Sequence, residues 1–157
     1  MSRWGAVDTV YGPAFVRLDE DGALAELHFD PARGQGERPP PAHLEPVARQ
    51  LGEYSEGRRV AFDLRLRPKG TPFRQEVWRA LTEIPIGRTT TYGELARKLG
   101  RPAAYRAVGA ANGANPIMLV IPCHRVIGSD GGLTGFGGGL PLKARMLEFE
   151  REAAGRG

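Results

Sequence analysis

Cysteine is almost absent from this chain: Cys123 stands alone among 157 residues. That excludes an internal disulfide, and with only three histidines, His28, His43 and His124, it excludes a cysteine-rich structural zinc site as well. No metal and no cofactor are expected. Long apolar runs are missing too. The longest, Ile117 to Pro122, is far short of the roughly 18 to 20 residues that cross a bilayer. The N-terminus has no basic region followed by an apolar stretch, so no secretory signal is read and the cytosol is the expected location. Acidic residues are missing from one window. Between Glu94 and Asp130 there is none, whereas Arg97, Lys98, Arg101, Arg106 and Arg125 all fall there.

What is present fits one globular domain or two small lobes, with 41% hydrophobic and 25% charged residues. Glycine (22) and proline (13) are abundant, which implies many loops or close backbone approaches. The charge is uneven. Residues 1–70 hold 10 Lys and Arg against 11 Asp and Glu, and residues 71–157 hold 12 against 7. A polyanion and a merely solvated cationic face both fit that excess.

In the first part, Ala14 to Leu18 and Ala23 to Phe29 flank an Asp21-Gly22 turn signal and read as a hairpin. Leu44, Val47, Leu51 and Tyr54 recur at helical spacing, and Val60, Phe62, Leu64 and Leu66 alternate with polar or small neighbours. The fold class expected is α+β, with an antiparallel sheet-and-helix scaffold lobe over 1–70 and a mainly helical lobe over 71–157. In the second lobe Thr71 and Pro72 open a helix carrying Phe73, Val77, Trp78 and Leu81. Thr91 and Glu94 have capping-box spacing ahead of a short helix, and Gly100 stands where its C-terminus wants a left-handed residue.

From Pro102 a second helix is expected, rich in small residues (Ala103, Ala104, Ala107) and carrying Arg106. The pair reads as a helix-turn-helix. Small side chains let a helix approach a nucleic-acid backbone, and one long cation can reach into a groove; equally, they can pack helix on helix in a core.

Chemistry concentrates at the end of an apolar run, in Cys123, His124 and Arg125. A lone cysteine is often an inert core residue, but a cationic setting and a neighbouring base favour thiolate. In an extended chain His124 would face away from Cys123, so the two can cooperate only if the chain turns there or a water bridges them. Residues 128–140 hold seven glycines, which suits either close approach to a planar ligand or a flexible loop. A closing helix from about Leu140 is read with Ala144, Leu147 and Glu150 on one face, where Glu150 either orients His124 or stays exposed.

Together these residues resemble the O6-alkylguanine-DNA alkyltransferases. Pro122-Cys123-His124-Arg125-Val126-Ile127 is similar to the family's active-site signature, and it follows Arg106-Ala107-Val108-Gly109 and Asn115-Pro116 at family spacing. The likeness runs from about Phe73 to Glu150.

The resemblance implies an enzyme, a single-turnover methylated-DNA-protein-cysteine methyltransferase. Cys123 would accept the alkyl group, with His124 as water-mediated base, Glu150 orienting it, and Asn115 bracing the turn. Tyr92 would contact the flipped purine and Arg106 would fill the vacated place, with Ala103, Ala104, Ala107 and Arg125 against DNA. Carbonyls of Cys123 and Val126 would accept from the guanine amino group; Phe136, Gly137 and Met118 would line the base site.

Phe136 and Gly137 stand where some relatives have Tyr and Ser. Met118 is bulkier than the Ser or Pro of the pattern, which works against large O6 substituents. The substrate implied is O6-alkylguanine, with O4-alkylthymine second. The partner implied is double-stranded DNA carrying alkylated bases, bound by a monomer that is nucleoid-associated when on DNA, with no membrane. The rival from another class is a DNA-binding or lesion-sensing helix-turn-helix module in which Cys123 is unreactive.

Overall fold

A computed structural model describes residues 3–132 and 139–156. The chain is α+β and separates into two compact units. One holds the residues up to Lys69 together with Pro116–Met118; the other holds Gly70–Asn115 and the chain from Leu119 onward.

The first unit is built on an antiparallel sheet in the order β1 (Arg3–Thr9), β2 (Gly12–Leu18), β3 (Leu24–His28). The Asp21-Gly22 turn closes β2 on β3, with Gly22 at φ +87°. Strand β1 escaped the sequence reading because its residues do not alternate in polarity and only Val7 among them is buried.

Helix α1 (Pro41–Ser55) buries Val47, Leu51 and Tyr54. It lies close to the sheet at Gly5, where a Cβ would sit 3.0 Å from a Leu44 methyl. The alternating stretch ending at Leu66 is not a regular strand: it meets β3 in a single parallel bridge, Leu24 to Leu66. The Gln50 side chain occupies the backbone of Asp63, accepting from its N–H at 2.8 Å and donating to its carbonyl at 2.9 Å.

Pro116–Met118 joins this unit through Leu27, whose N–H donates to Pro116 O (2.9 Å) and whose carbonyl accepts from Met118 N (3.1 Å). A division at residue 70 misses this returning segment.

In the second unit, α2 (Pro72–Leu81) is capped by Thr71, whose hydroxyl accepts from Arg74 N. Its Trp78 is buried and donates its indole N–H to Ala111 O at 2.8 Å. Helix α3 (Tyr92–Lys98) starts on Thr91, which accepts from Glu94 N at 3.1 Å. It ends in a Schellman turn: Gly100, at φ +73°, donates to Arg97 O, and Arg101 N reaches back to Ala96 O, both at 2.9 Å.

A 3-10 turn, Pro102–Ala104, then leads into α4 (Tyr105–Gly113), so the second helix is shorter than its sequence suggests. Two short strands, β4 (Thr90–Thr91) and β5 (Val126–Ile127), pair in parallel. The final helix, α5 (Leu140–Arg156), turns Lys143, Met146, Glu150 and Ala153 inward, while Ala144 is exposed and Leu147 half-buried. The face read from sequence is therefore corrected: a lysine on the buried stripe masked the 3.6-residue period. Among the described residues no helix is long and apolar enough to cross a membrane.

Candidate active site

The run before Cys123 is not extended. Met118 to Val120 form a turn in which buried Leu119 takes φ +74°, a left-handed conformation rare for a side chain of this shape. Pro122 follows at φ −80°, ψ 63°, and Cys123 N donates to Ile121 O at 2.8 Å. This is an inverse γ-turn, for which the proline ring presets φ. Asn115 Nδ2 donates to the same Ile121 carbonyl at 2.7 Å. A 3-10 turn, Cys123–Arg125, comes next, so the chain does turn at Pro122-Cys123.

Cys123 is buried, and burial pushes its thiol up to about 11, against the downward pull of the Asn115 amide and the Lys143 ammonium. The sequence expectation of a resting thiolate is thereby corrected. Most of the cations in the acid-free window are elsewhere engaged or on the surface. Lys98 pairs with Glu83 (3.0 Å), Arg101 with Glu76 (3.4 Å), and Arg97 and Arg106 are exposed.

Arg125 is the clearest departure. Only 6% exposed, it donates from Nε to Glu150 Oε1 (2.7 Å), from Nη2 to Oε2 (3.0 Å) and from Nη1 to Ile84 O (2.6 Å). A guanidinium sealed in this way does not present itself to DNA, so Arg125 lies outside the DNA-contacting surface on which the resemblance places it.

His124 is wholly buried, its Nε2 2.9 Å from Glu150 Oε2 but without the alignment of a hydrogen bond, and its Nδ1 has no partner among the described residues. Burial lowers the imidazole pKa against the opposing pull of Glu150, which favours the neutral ring. Burial would raise the Glu150 carboxyl, but His124 and Arg125 outweigh it and hold it at about 2. A neutral imidazole beside a fixed carboxylate is placed to accept a proton.

Strand β4 ends at Thr91, opposite Ile127, so the β4–β5 pair ties Tyr92 to the segment leaving Cys123. The Tyr92 ring also lies beside Gly109 of α4. On the outer side of the helix pair, Ala103, Ala107 and Arg106 are exposed and Ala104 is half-buried, whereas Val108, Ala111 and Asn112 face inward. The Arg106 guanidinium lies 5.8 Å from the Tyr105 ring centre and has no carboxylate partner among the described residues. Met118 is buried in the first unit, and Phe136 and Gly137 lie outside the described residues.

Two site residues were missed from sequence. Lys143, with no exposed surface, donates to Val126 O at 2.7 Å, and burial lowers its pKa. Asn112, 2% exposed, donates from Nδ2 to Cys123 O at 3.3 Å. The spacing of Lys143 from Met146 and Glu150 was the available signal for the first; nothing in sequence distinguishes Asn112 from a surface amide.

Residues 72–152 match the family model described as "6-O-methylguanine DNA methyltransferase, DNA binding domain". A methylated-DNA–protein-cysteine methyltransferase of Methanosarcina barkeri is 45% identical over 151 residues, covering 92% of this chain and 94% of that protein. One from Mycobacterium bovis is 46% identical over 160 residues, covering 98% and 95%.

Among solved structures, the O6-methylguanine methyltransferase of Mycobacterium tuberculosis superposes with a TM-score of 0.87 at 40% identity, covering 98% of this chain and 94% of that one. The Mycobacterium tuberculosis OGT in complex with DNA gives the same TM-score, 0.87, and identity, 40%, over 96% and 94%. A shared DNA-binding domain, near-complete coverage and the Pro-Cys-His-Arg turn leave one conclusion: the chain belongs to the O6-methylguanine-DNA methyltransferases, a family of DNA alkyltransferases.

Proposed function

We propose that this protein repairs DNA by moving the alkyl group of O6-alkylguanine onto its own Cys123 after the nucleotide is extruded from the duplex, with O4-alkylthymine a second substrate. The observation that carries this reading is the braced turn that holds Cys123 next to a neutral, carboxylate-flanked His124. Unit two also carries the exposed, cationic helix pair, and a solved relative of the whole chain is bound to DNA.

Extrusion costs a few kcal/mol, less for a weakly paired damaged base, and Arg106 with the small-residue face of α4 offsets it. In the pocket the Cys123 thiol passes its proton to His124, by way of a water, as the sulfur attacks the alkyl carbon. The S–C bond forms, the C–O6 bond breaks, and its electron pair leaves on the purine. The purine takes up the proton, so the products are a thioether and unmodified guanine. Tyr92 donates to the ring as charge develops. A thiol held at about 11 makes coupling of proton loss to attack necessary. A thioether has no acyl centre to hydrolyse, so each chain reacts once.

The raised thiol pKa also favours the rival reading, a lesion-binding module with an inert Cys123. Replacing Cys123 by Ser decides between them. On the repair reading Cys123→Ser abolishes loss of the alkyl group from a methylated duplex while binding to that duplex persists. A wild-type protein that binds the duplex and leaves its alkyl group in place supports the rival.

A further inference from the structure

The cations of the acid-free window are held in two different ways. Lys98 and Arg101 each meet a carboxylate, and Arg125 is locked onto Glu150. Arg106 meets a ring instead: its guanidinium carbon lies 5.8 Å from the centre of the Tyr105 ring, within the range of a cation–π contact. Tyr105 is 47% exposed in the first turn of α4, beside exposed Ala103 and Ala107. Packing does not account for a large aromatic side chain left open on a surface of small ones.

The kind of partner matters for a cation that has to enter a duplex. A carboxylate would neutralise Arg106, would have to be stripped away before insertion and would repel the phosphates that the helix approaches. A ring attracts the cation without any of these costs, and it leaves the positive charge and the N–H donors available. It also restricts the rotamers of a long side chain, whose freedom would otherwise be lost on insertion. Position fits as well. Tyr105 and Gly109 stand one turn apart on the same side of α4, and the Tyr92 ring lies beside Gly109. Tyr105 therefore occupies the flank of the helix that leads from Arg106 towards Tyr92.

We propose that Tyr105 is a positioning residue for Arg106, its ring holding the guanidinium ready at the surface of α4 for the place that the extruded nucleotide vacates. This rests on the function proposed above and deepens it. The ring acts through Arg106 and not on the sulfur, so its effect is confined to reactions in which a base has to leave a duplex.

The test times single-turnover alkyl transfer to the full-length protein from an O6-methylguanine duplex and from free O6-benzylguanine. Wild type is compared with Tyr105→Ala, Tyr105→Phe, Arg106→Ala and the double variant that combines the two alanines. Tyr105→Ala is expected to slow the duplex reaction by about threefold to fivefold, the equivalent of one exposed cation–π contact. Its reaction with the free base should stay close to wild type. Tyr105→Phe keeps the ring and should keep the duplex rate. In the double variant the loss of Tyr105 should add less than about 1.5-fold to the effect of Arg106→Ala, since no guanidinium is left to position.

A duplex rate unchanged in Tyr105→Ala, or a Tyr105→Phe rate as low as that of Tyr105→Ala, overturns the inference. So does equal slowing of duplex and free base, which a merely structural role would give. A full further loss in the double variant overturns it too, because Tyr105 would then meet the duplex independently of Arg106. Absence of transfer from both substrates by wild type would instead overturn the proposed function.

Discussion

Arg125 grips Glu150 by both carboxylate oxygens, at 2.7 and 3.0 Å, while His124 approaches one of the same oxygens at 2.9 Å. The carboxylate therefore joins the two residues that follow Cys123 to the last helix. Removing one partner of a buried pair strands the other charge, at a cost of about 3–5 kcal/mol. Arg125→Ala should lose stability of that order in urea unfolding, and its folded fraction should keep wild-type affinity for DNA. A drop in affinity at unchanged stability would restore Arg125 to the DNA surface.

Lys143 is the buried cation whose field pulls on the Cys123 thiol. Lys143→Met removes a charge that burial already disfavours, so the urea midpoint should hold or rise. The thiol should move further up, and carboxamidomethylation of Cys123 by iodoacetamide at fixed pH should slow by about threefold or more as the thiolate fraction falls. Equal alkylation rates in variant and wild type would remove Lys143 from the site.

The site also sets the pH range of stability. Glu150 is held at about 2 against an ordinary 4.5, so its contribution is complete above 4.5 and is lost as pH falls from there towards 2. His124 is held below its ordinary 6.5 by burial; the unfolded chain binds that proton more readily, so stability also falls as pH drops below 6.5. Cys123, raised from 9.0 to about 11, contributes stability below pH 9 that is lost as pH rises through 11, with depressed Lys143 working against that loss. Urea midpoints should therefore peak between pH 6.5 and 9.0. Glu150→Gln should flatten the acid limb; an acid limb identical to wild type would contradict the assignment.

Arg106 is exposed on α4 and contacts the Tyr105 ring. If it fills the place of the extruded base, Arg106→Ala should slow alkyl transfer from duplex DNA by on the order of tenfold or more, since flipping costs a few kcal/mol. Reaction with free O6-benzylguanine, which needs no flipping, should stay within about twofold of wild type. Equal slowing of both reactions would reject the role.

The parts legible in the sequence were those fixed by local chemistry. Thr71, Thr91 and Gly100 mark helix ends because caps and left-handed turns depend on single residues, and the Asp21-Gly22 hairpin is local in the same sense. Burial decided what was not legible. Arg125 looked like one more surface cation until Glu150 and Ile84 enclosed it. Cys123 looked easily ionised because charge can be counted along a sequence and desolvation cannot. The β4–β5 pair and the return of Pro116–Met118 to Leu27 involve so few residues that no periodicity announces them.

Alkyl transfer to Cys123 is read by intact mass and peptide mapping of the protein after incubation with excess duplex containing O6-methylguanine. Each chain should gain a single methyl group, located on Cys123, and a second addition of substrate should bring no further loss of lesion. A folded, duplex-binding protein whose mass does not change, or one that clears several lesions per chain, would contradict single transfer to Cys123.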